Sequence, residues 1–481
     1  MHVDAGGVRH VTEPPVDVTA QRRARRVFWV AAALSFGVLV WLGLGMTFFA
    51  DEWAFIESRS LTDPGTWLPP HNEHWSTLPI LLYRLMVETI GIGSYVPYLV
   101  VIAALHVLVA WLVYVLLERR TGPLVALAGG VIVLLFGSGF ENLFWGFQTG
   151  FIGSLALGLA AFVVMDGGAT RRRAIAVALL LLAALMCSST GAVMCVAVGI
   201  EWVIDPRWRR YLAALLLPAG ASLAWILAFG RGALSQRRDP LSLDAIRDVP
   251  AFVADGIGNA VTAITGLPPV IALVGITLVA TAALTRAQRT EPAEEAPDLD
   301  QAGIRPARVI GLFVAIATLY ALSGLVRAQT LVGAADYPRY TYLAGIMALV
   351  LVGSLVGRVT LPPAGSRRIL AIGLLGGWIA AAMILNLTLL LYGRALFLER
   401  ADMTRALTIV ALDPAAPAGV DRDRSLVLIP SPNTMARIAA QYGDPRTDAI
   451  VPWAVRPIPP EVLAEARRRL IEGAPIPGIS D

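Results

Sequence analysis

Long apolar runs follow one another along most of this chain, separated by short polar breaks. A membrane-spanning helix needs about 20 largely apolar residues. By that measure the pattern predicts about eleven spans, near 27–49, 95–117, 123–140, 148–166, 174–187, 189–204, 211–229, 268–285, 309–326, 342–357 and 369–392. The pair across 174–204 reads either as two short spans joined at Ser188-Ser189-Thr190-Gly191 or as one re-entrant element. Two stretches, 76–92 and 243–264, mix apolar positions with charges and predict amphipathic helices at the interface. From Gly393 onward charges and prolines increase and no span is predicted. There Ser425 to Pro430 predicts a short buried strand, and 434–442 and 460–472 predict helices. The expected fold class is therefore an all-α polytopic membrane protein with a small α/β C-terminal domain over 393–481. The polar residues 1–26 are expected to be disordered, and 27–392 to form the transmembrane domain.

Composition agrees with this pattern. The chain is 56% hydrophobic and 15% charged, with a mean hydropathy of +0.67. A soluble domain carries about 25% charged residues. The pI of about 9.2 would suit nucleic acid, but the net charge is only +4. Every basic side chain apart from histidine is arginine, placed mostly in short clusters between the runs. Such placement signals topology, so no nucleic-acid partner is expected. Arg22, Arg23, Arg25 and Arg26 precede the first run; Arg119 and Arg120, Arg171 to Arg173, Arg207, Arg209 and Arg210, then Arg286, Arg289, Arg305, Arg308 and Arg358 fall in alternate breaks. The positive-inside rule makes these breaks cytoplasmic. The expected location is the plasma membrane, multi-pass, with the N-terminus cytoplasmic and the C-terminal domain extracytoplasmic. The first run is too long for a signal-peptide core and reads as an uncleaved anchor. Cys187 and Cys195 read as buried thiols rather than a disulfide or metal pair.

Candidate chemistry gathers on the other side. Asp51 and Glu52 directly follow Phe48-Phe49-Ala50, where the chain leaves the apolar run. Ionisable groups at that depth are costly and read as functional. A carboxylate there suits a general base, or a wet loop end. His71, Glu73 and His74 fall within four residues, followed by Trp75. They suit substrate hydrogen bonding, orientation of Asp51, or a divalent metal, although the spacing matches no standard zinc pattern. Trp53, Trp67 and Trp75 suit either a sugar-stacking wall or the interfacial aromatic belt. Glu141 is a second acid expected on the same side, with Gln148 nearby. Arg327, Arg339 and Tyr340 flank a late loop on that side, where an arginine does not serve topology and suits a phosphate. Arg231, Arg237 and Arg238 are weaker candidates for the same task.

This arrangement resembles the GT-C superfamily of integral membrane glycosyltransferases, which includes protein O-mannosyltransferases and aminoarabinose transferases. Asp51-Glu52 is similar to the acid pair of its first outer loop, the 76–92 helix to its interface helix, and Arg339-Tyr340 to an Arg-Tyr element near the lipid phosphate. The resemblance implies a hexosyl- or pentosyltransferase using a polyprenyl-phosphate sugar donor. Asp51, Glu52 and Glu141 would be catalytic; His71, Glu73, His74, Trp75, Gln148, Arg327, Arg339 and Tyr340 would bind substrate. The acceptor would be a glycan, lipid or protein of the cell envelope. The alternative reading is a transporter or lipid flippase.

Overall fold

A computed structural model describes residues 18–72, 74–230, 243–289, 304–327, 334–359, 363–415 and 419–472. Arg231, Arg237, Arg238 and Glu73, together with the side chain of Arg327, lie outside the described part.

The described chain is helical. The longer helices, in order, are α1 (Val18–Gly43), α2 (Asp51–Glu57), α3 (Thr77–Thr89), α4 (Val96–Thr121), α5 (Pro123–Leu134), α6 (Phe140–Phe144), α7 (Thr149–Met165), α8 (Arg171–Cys187), α9 (Gly191–Ile204), α10 (Leu216–Trp225), α11 (Leu243–Thr265), α12 (Pro269–Arg289), α13 (Pro306–Arg327), α14 (Pro338–Val356), α15 (Ser366–Leu412), α16 (Pro432–Tyr442) and α17 (Pro460–Glu472). Their boundaries follow local chemistry. Gly122, at φ 93°, ends α4, and Pro123 starts α5 where a missing N–H costs nothing. Thr170 caps α8 by accepting from the Arg173 N–H, and Ser431 caps α16 by accepting from that of Thr434.

Eight helices among the described residues are long and apolar enough to cross a membrane, or nine if the pair Ile246–Thr265 and Pro269–Ala282, bent by 72°, is one span. The expected eleven is not reached. The segments 174–187 and 189–204 form α8 and α9, of 17 and 14 residues. At 1.5 Å per residue these are about 25 and 21 Å long, short of the ~30 Å hydrocarbon core. The C-terminal strand is also absent: Ser425 to Pro430 is irregular with a bend at 427–429, and the described C-terminal residues contain no strand. Its apolar side chains are buried all the same, with Leu428 and Ile429 in the main core. Helix α1 begins at Val18, so the arginines at 22–26 lie on its first turns. Helix α15 runs unbroken through Gly393 to Leu412.

The bundle has two polar ends joined by an apolar middle. At one end, Arg308 on α13 is almost fully buried. Its guanidinium donates to both oxygens of Glu201 on α9 (2.9 and 3.0 Å) and to Asp166 at the foot of α7 (2.8 Å). Arg120 at the end of α4 donates to the same Asp166 oxygen at 2.6 Å. Four helices are clamped there. Helix α7 carries the chain about 25 Å away, to the opposite end. There residues 419–472 fold against the bundle: the Ile92 N–H donates to Tyr442 O, and the Ala449 N–H to Gly93 O, each at 2.8 Å.

Candidate functional site

Asp51 opens α2 immediately after Ala50, whose backbone sits at φ 52°, ψ −126°. A non-glycine residue held in such a region costs roughly 1–3 kcal/mol and persists only where its surroundings fix it. Here the Ala50 N–H donates to Leu428 O at 3.2 Å, and Trp53 Nε1 donates to the same carbonyl at 3.0 Å. The Phe49 N–H donates to Glu52 Oε2 at 2.9 Å. The C-terminal region thus fixes the turn that presents the acid pair.

The two acids have opposite surroundings. Glu52 is fully buried. Its Oε1 accepts from the Tyr83 hydroxyl and, at 2.8 Å, from Tyr95 Oη; that hydroxyl accepts from the Gly146 N–H at 2.7 Å. A Cβ on Gly146 would stand 2.6 Å from Tyr83 Oη and 2.7 Å from Glu52 Oε1, so only glycine lets this loop lie over the acid. Burial pushes the Glu52 carboxyl up to about 7, against the pull of the Tyr83, Phe49 and Tyr95 hydrogen bonds. Glu52, expected beside Asp51 as a second catalytic acid, ties α2, α3, the start of α4 and the 145–148 segment together.

Asp51 keeps 35% of its side chain exposed. Partial burial favours its neutral form, but nearby His71, Asn72 and the Arg339 charge outweigh that and hold the carboxyl below its ordinary value. His71 Nε2 lies 3.3 Å from Asp51 Oδ1. The approach is too oblique for a good hydrogen bond, which leaves that nitrogen without a hydrogen-bond partner among the described residues. The His71 ring is fixed against Phe55 and Phe147, with centroids 4.9 and 5.2 Å away. Its backbone pairs with that of His74 in both directions (3.1 and 3.0 Å), which makes the 71–74 segment a tight turn. Asn72 takes φ 51° inside it. His74 points elsewhere: its Nδ1 meets the Ser189 hydroxyl and lies 3.4 Å from Ser188 Oγ, between α8 and α9.

Arg339, on the first turn of α14, pairs with Glu141 on α6 at 3.1 Å. Its charge acts on Asp51 as well. Arg339 Nε is buried with no hydrogen-bond partner among the described residues, so the fork retains a donor. Arg400 on α15 stands within electrostatic reach of both Glu141 and Arg339. Asp51, His71, Glu141 and Arg339 therefore form one constellation, to which Arg400 adds a second cation. Gln148 is buried close by; its Oε1 accepts weakly from Asn142 at 3.5 Å, and its Nε2 is unmatched among the described residues. Trp75 is not in this group. It stacks on Trp225 at 5.3 Å and donates to Thr77, a packing role. Tyr340 is buried in the main core. Among the described residues, no three His, Cys, Asp or Glu side chains gather closely enough to hold a metal ion.

Comparison with protein-family models, curated proteins and solved structures returns no match. The site must be read from its own chemistry. Three of its members were not expected from sequence. Tyr83 and Tyr95 sit in apolar helical stretches and look like core residues. Arg400 falls eight residues beyond the expected end of the membrane domain. The signal for Arg400 was an arginine shortly after the apolar run 369–392, at the end opposite the arginine clusters.

Proposed function

We propose that this protein is a membrane glycosyltransferase that moves a sugar from a polyprenyl-phosphate donor to an acceptor hydroxyl, with Asp51 as the base. The observation that carries the reading is the gathering of a partly exposed Asp51, the Arg339–Glu141 pair and Arg400 at one polar end of an apolar bundle. A carboxylate and a cation with a free donor suit a reaction that takes a proton at one point and releases a phosphate at another.

Geometry decides between the two acids before pKa does. Glu52 is tuned closer to neutral pH, but it is fully buried and its carboxylate already accepts from Tyr83, Tyr95 and the Phe49 N–H. Asp51 is half-buried with an open face, and its neighbours hold its carboxyl below the ordinary value. In the proposed step the acceptor oxygen attacks the anomeric carbon and forms the new C–O bond. The bond from that carbon to the phosphate oxygen breaks, its electron pair leaves on the polyprenyl phosphate, and the acceptor proton passes to Asp51. Arg339 and Arg400 meet the phosphate charge. Arg is suited to this because its planar fork presents several donors at fixed angles. Orientation is inferred from the arginine clusters: the starts of α1, α8 and α13 and the ends of α4, α9 and α14 all lie at the far end, which the positive-inside rule makes cytoplasmic. The constellation would then face the outside of the plasma membrane, and GT-C-like organisation would follow.

The test is sugar transfer by purified full-length protein, using a panel of radiolabelled polyprenyl-phosphate sugars and a cell-envelope extract. Wild type is expected to move label into a product, and Asp51→Asn to lose that transfer while keeping its thermal midpoint. Retained transfer by Asp51→Asn would remove Asp51 as the base. Labelled donor that changes membrane side without being consumed would favour a flippase.

A further inference from the structure

An apolar groove of about 280 Å³ opens between α3, α4, α7 and α8. It follows α7 from Thr149 to Ala160, about 16 Å at 1.5 Å per residue, and follows α4 from Leu105 to Leu112. A slot of that length along helices that cross an apolar layer matches a hydrocarbon chain lying parallel to its neighbours. At its acid-site end the groove shares the Pro79 and Cys187 walls with a small pocket of about 10 Å³, room for about one water. That pocket is lined by His74, Ser76 and Ser188, and by Phe55 and Phe147, the two rings that also hold His71. The groove therefore leads toward Asp51 from the side of the His71–His74 turn.

Two observations point to a ligand and to its chemistry. Thr149 lines the groove at 5% exposure, and its Oγ1 is buried with no hydrogen-bond partner among the described residues. None of the residues lining the groove or the small pocket is Arg, Asp or Glu. A phosphate-bearing lipid would bring a strong anion to a mouth without a fixed cation, which is unfavourable in a low-dielectric setting. Hydroxyls and an imidazole suit a neutral hydroxyl-bearing headgroup instead. The cations Arg339 and Arg400 stand with Glu141, in a different part of the site.

Resting on the transferase reading, we infer that this groove holds the chain of the acceptor, and that the acceptor is a membrane lipid with an uncharged, hydroxyl-bearing headgroup. Its hydroxyl reaches Asp51 past His74 and Phe147, while the donor phosphate is held at Arg339. Donor and acceptor then approach the carboxylate from separate sides, as an attack opposite the leaving group requires.

The experiment uses full-length protein in phosphatidylcholine nanodiscs and a monoacylglycerol carrying a diazirine in its chain. After photolysis, labelled peptides are mapped by mass spectrometry. Saturable labelling of 105–112 and 149–160 is expected. Excess unlabelled monoacylglycerol should remove it and polyprenyl phosphate should not. Thr149→Val, nearly the same volume without the hydroxyl, should weaken labelling. Ala160→Trp, which fills the groove, should lower it by roughly tenfold; Leu157→Phe serves if that variant does not fold. Displacement by polyprenyl phosphate would assign the groove to the donor and overturn the inference. Labelling equal to that of a diazirine phosphatidylcholine, or labelling that does not saturate, would mean bulk lipid only and would overturn it too. None of these readouts needs sugar transfer. A labelled groove in a protein without transferase activity would therefore sink the enzyme reading, and the acceptor assignment with it, while an active enzyme with an unlabelled groove would sink the inference alone.

Discussion

The two polar ends of this bundle hold similar residue types and treat them differently. At the Arg308 end, arginines and carboxylates are buried together. The Arg308 fork is consumed by Glu201 and Asp166, and Arg120 adds a further bond to Asp166. At the Asp51 end the same chemistry is left incomplete. Asp51 is partly open, His71 Nε2 approaches it obliquely, and Arg339 makes a single 3.1 Å pair with Glu141 and is itself partly exposed. A paired network in a low-dielectric setting holds helices in register, and removing one partner strands a charge. An incomplete network of the same groups can complete itself on a ligand. The difference separates a clamp from a site without reference to any relative.

The comparison predicts the largest stability loss at the clamp. Arg308→Ala removes the fork that Glu201 accepts from at 2.9 and 3.0 Å and leaves that buried carboxylate the more distant Arg305, at 4.0 Å. Breaking a buried pair in this way costs about 3–5 kcal/mol. The variant is expected to lose most of its monodisperse protein in detergent, or to melt far below wild type. A fold that tolerates Arg308→Ala would erase the contrast.

The next effect belongs to activity. Arg339→Lys keeps a cation for Glu141 but replaces the planar fork with a point charge. Transfer is expected to fall by roughly 10²–10³, the usual scale for losing a preorganised donor to developing negative charge. The thermal midpoint should move little. Comparable losses in both quantities would mean that Arg339 is a second clamp.

Glu52 mixes the two behaviours and gives a pH signature. Its carboxyl is raised from 4.5 to about 7 in the folded protein. The folded state therefore binds the proton more tightly than the unfolded one. That contribution is fully present below about pH 4.5 and is lost as pH rises through about 7, a total of about 3 kcal/mol. Asp51 acts in the opposite sense: its lowered value contributes stability at neutral pH that is lost only as the medium becomes strongly acidic. The thermal midpoint in detergent should thus decline between about pH 4.5 and 7, and Glu52→Gln should flatten that decline. An unchanged slope in the variant would assign the decline to another group.

How much of this was legible in the sequence differs between the ends for a physical reason. The apolar runs gave the helical class, and Asp51, Glu141 and Arg339 stood out because charge is expensive beside such runs. The clamp did not stand out. Arg308 and Arg120 read as ordinary positive-inside flanks, and Glu201 and Asp166 at the ends of apolar runs read as nothing in particular. Only the packing of four helices brings them together. Tyr83 and Tyr95 were hidden because a buried tyrosine that binds a carboxylate has the same sequence signature as one that fills space. The expected span count exceeds the eight or nine among the described residues partly because the 174–204 pair, read as two short spans or one re-entrant element, forms α8 and α9, both shorter than a full span. The C-terminal strand was misread because Leu428 and Ile429 are buried by docking on the bundle, where the Leu428 carbonyl serves Ala50 and Trp53 instead of a sheet.

The smallest effect is expected at Ala50, and it asks whether the open end is held under strain. Glycine adopts φ 52° without the penalty that alanine carries. Ala50→Gly keeps the N–H that Leu428 O accepts and removes only a methyl group. The folded state should gain about 1 kcal/mol from relief of strain, offset in part by the greater freedom of glycine in the unfolded chain. The thermal midpoint should therefore rise slightly or hold. If the strained turn serves to fix Asp51, transfer should drop a few-fold in the same variant, because stability and a rigidly presented carboxylate would then be opposed. A variant that melts lower than wild type would show that the Ala50 methyl group contributes more through packing than its backbone costs. Strain at that residue would then be incidental to the site.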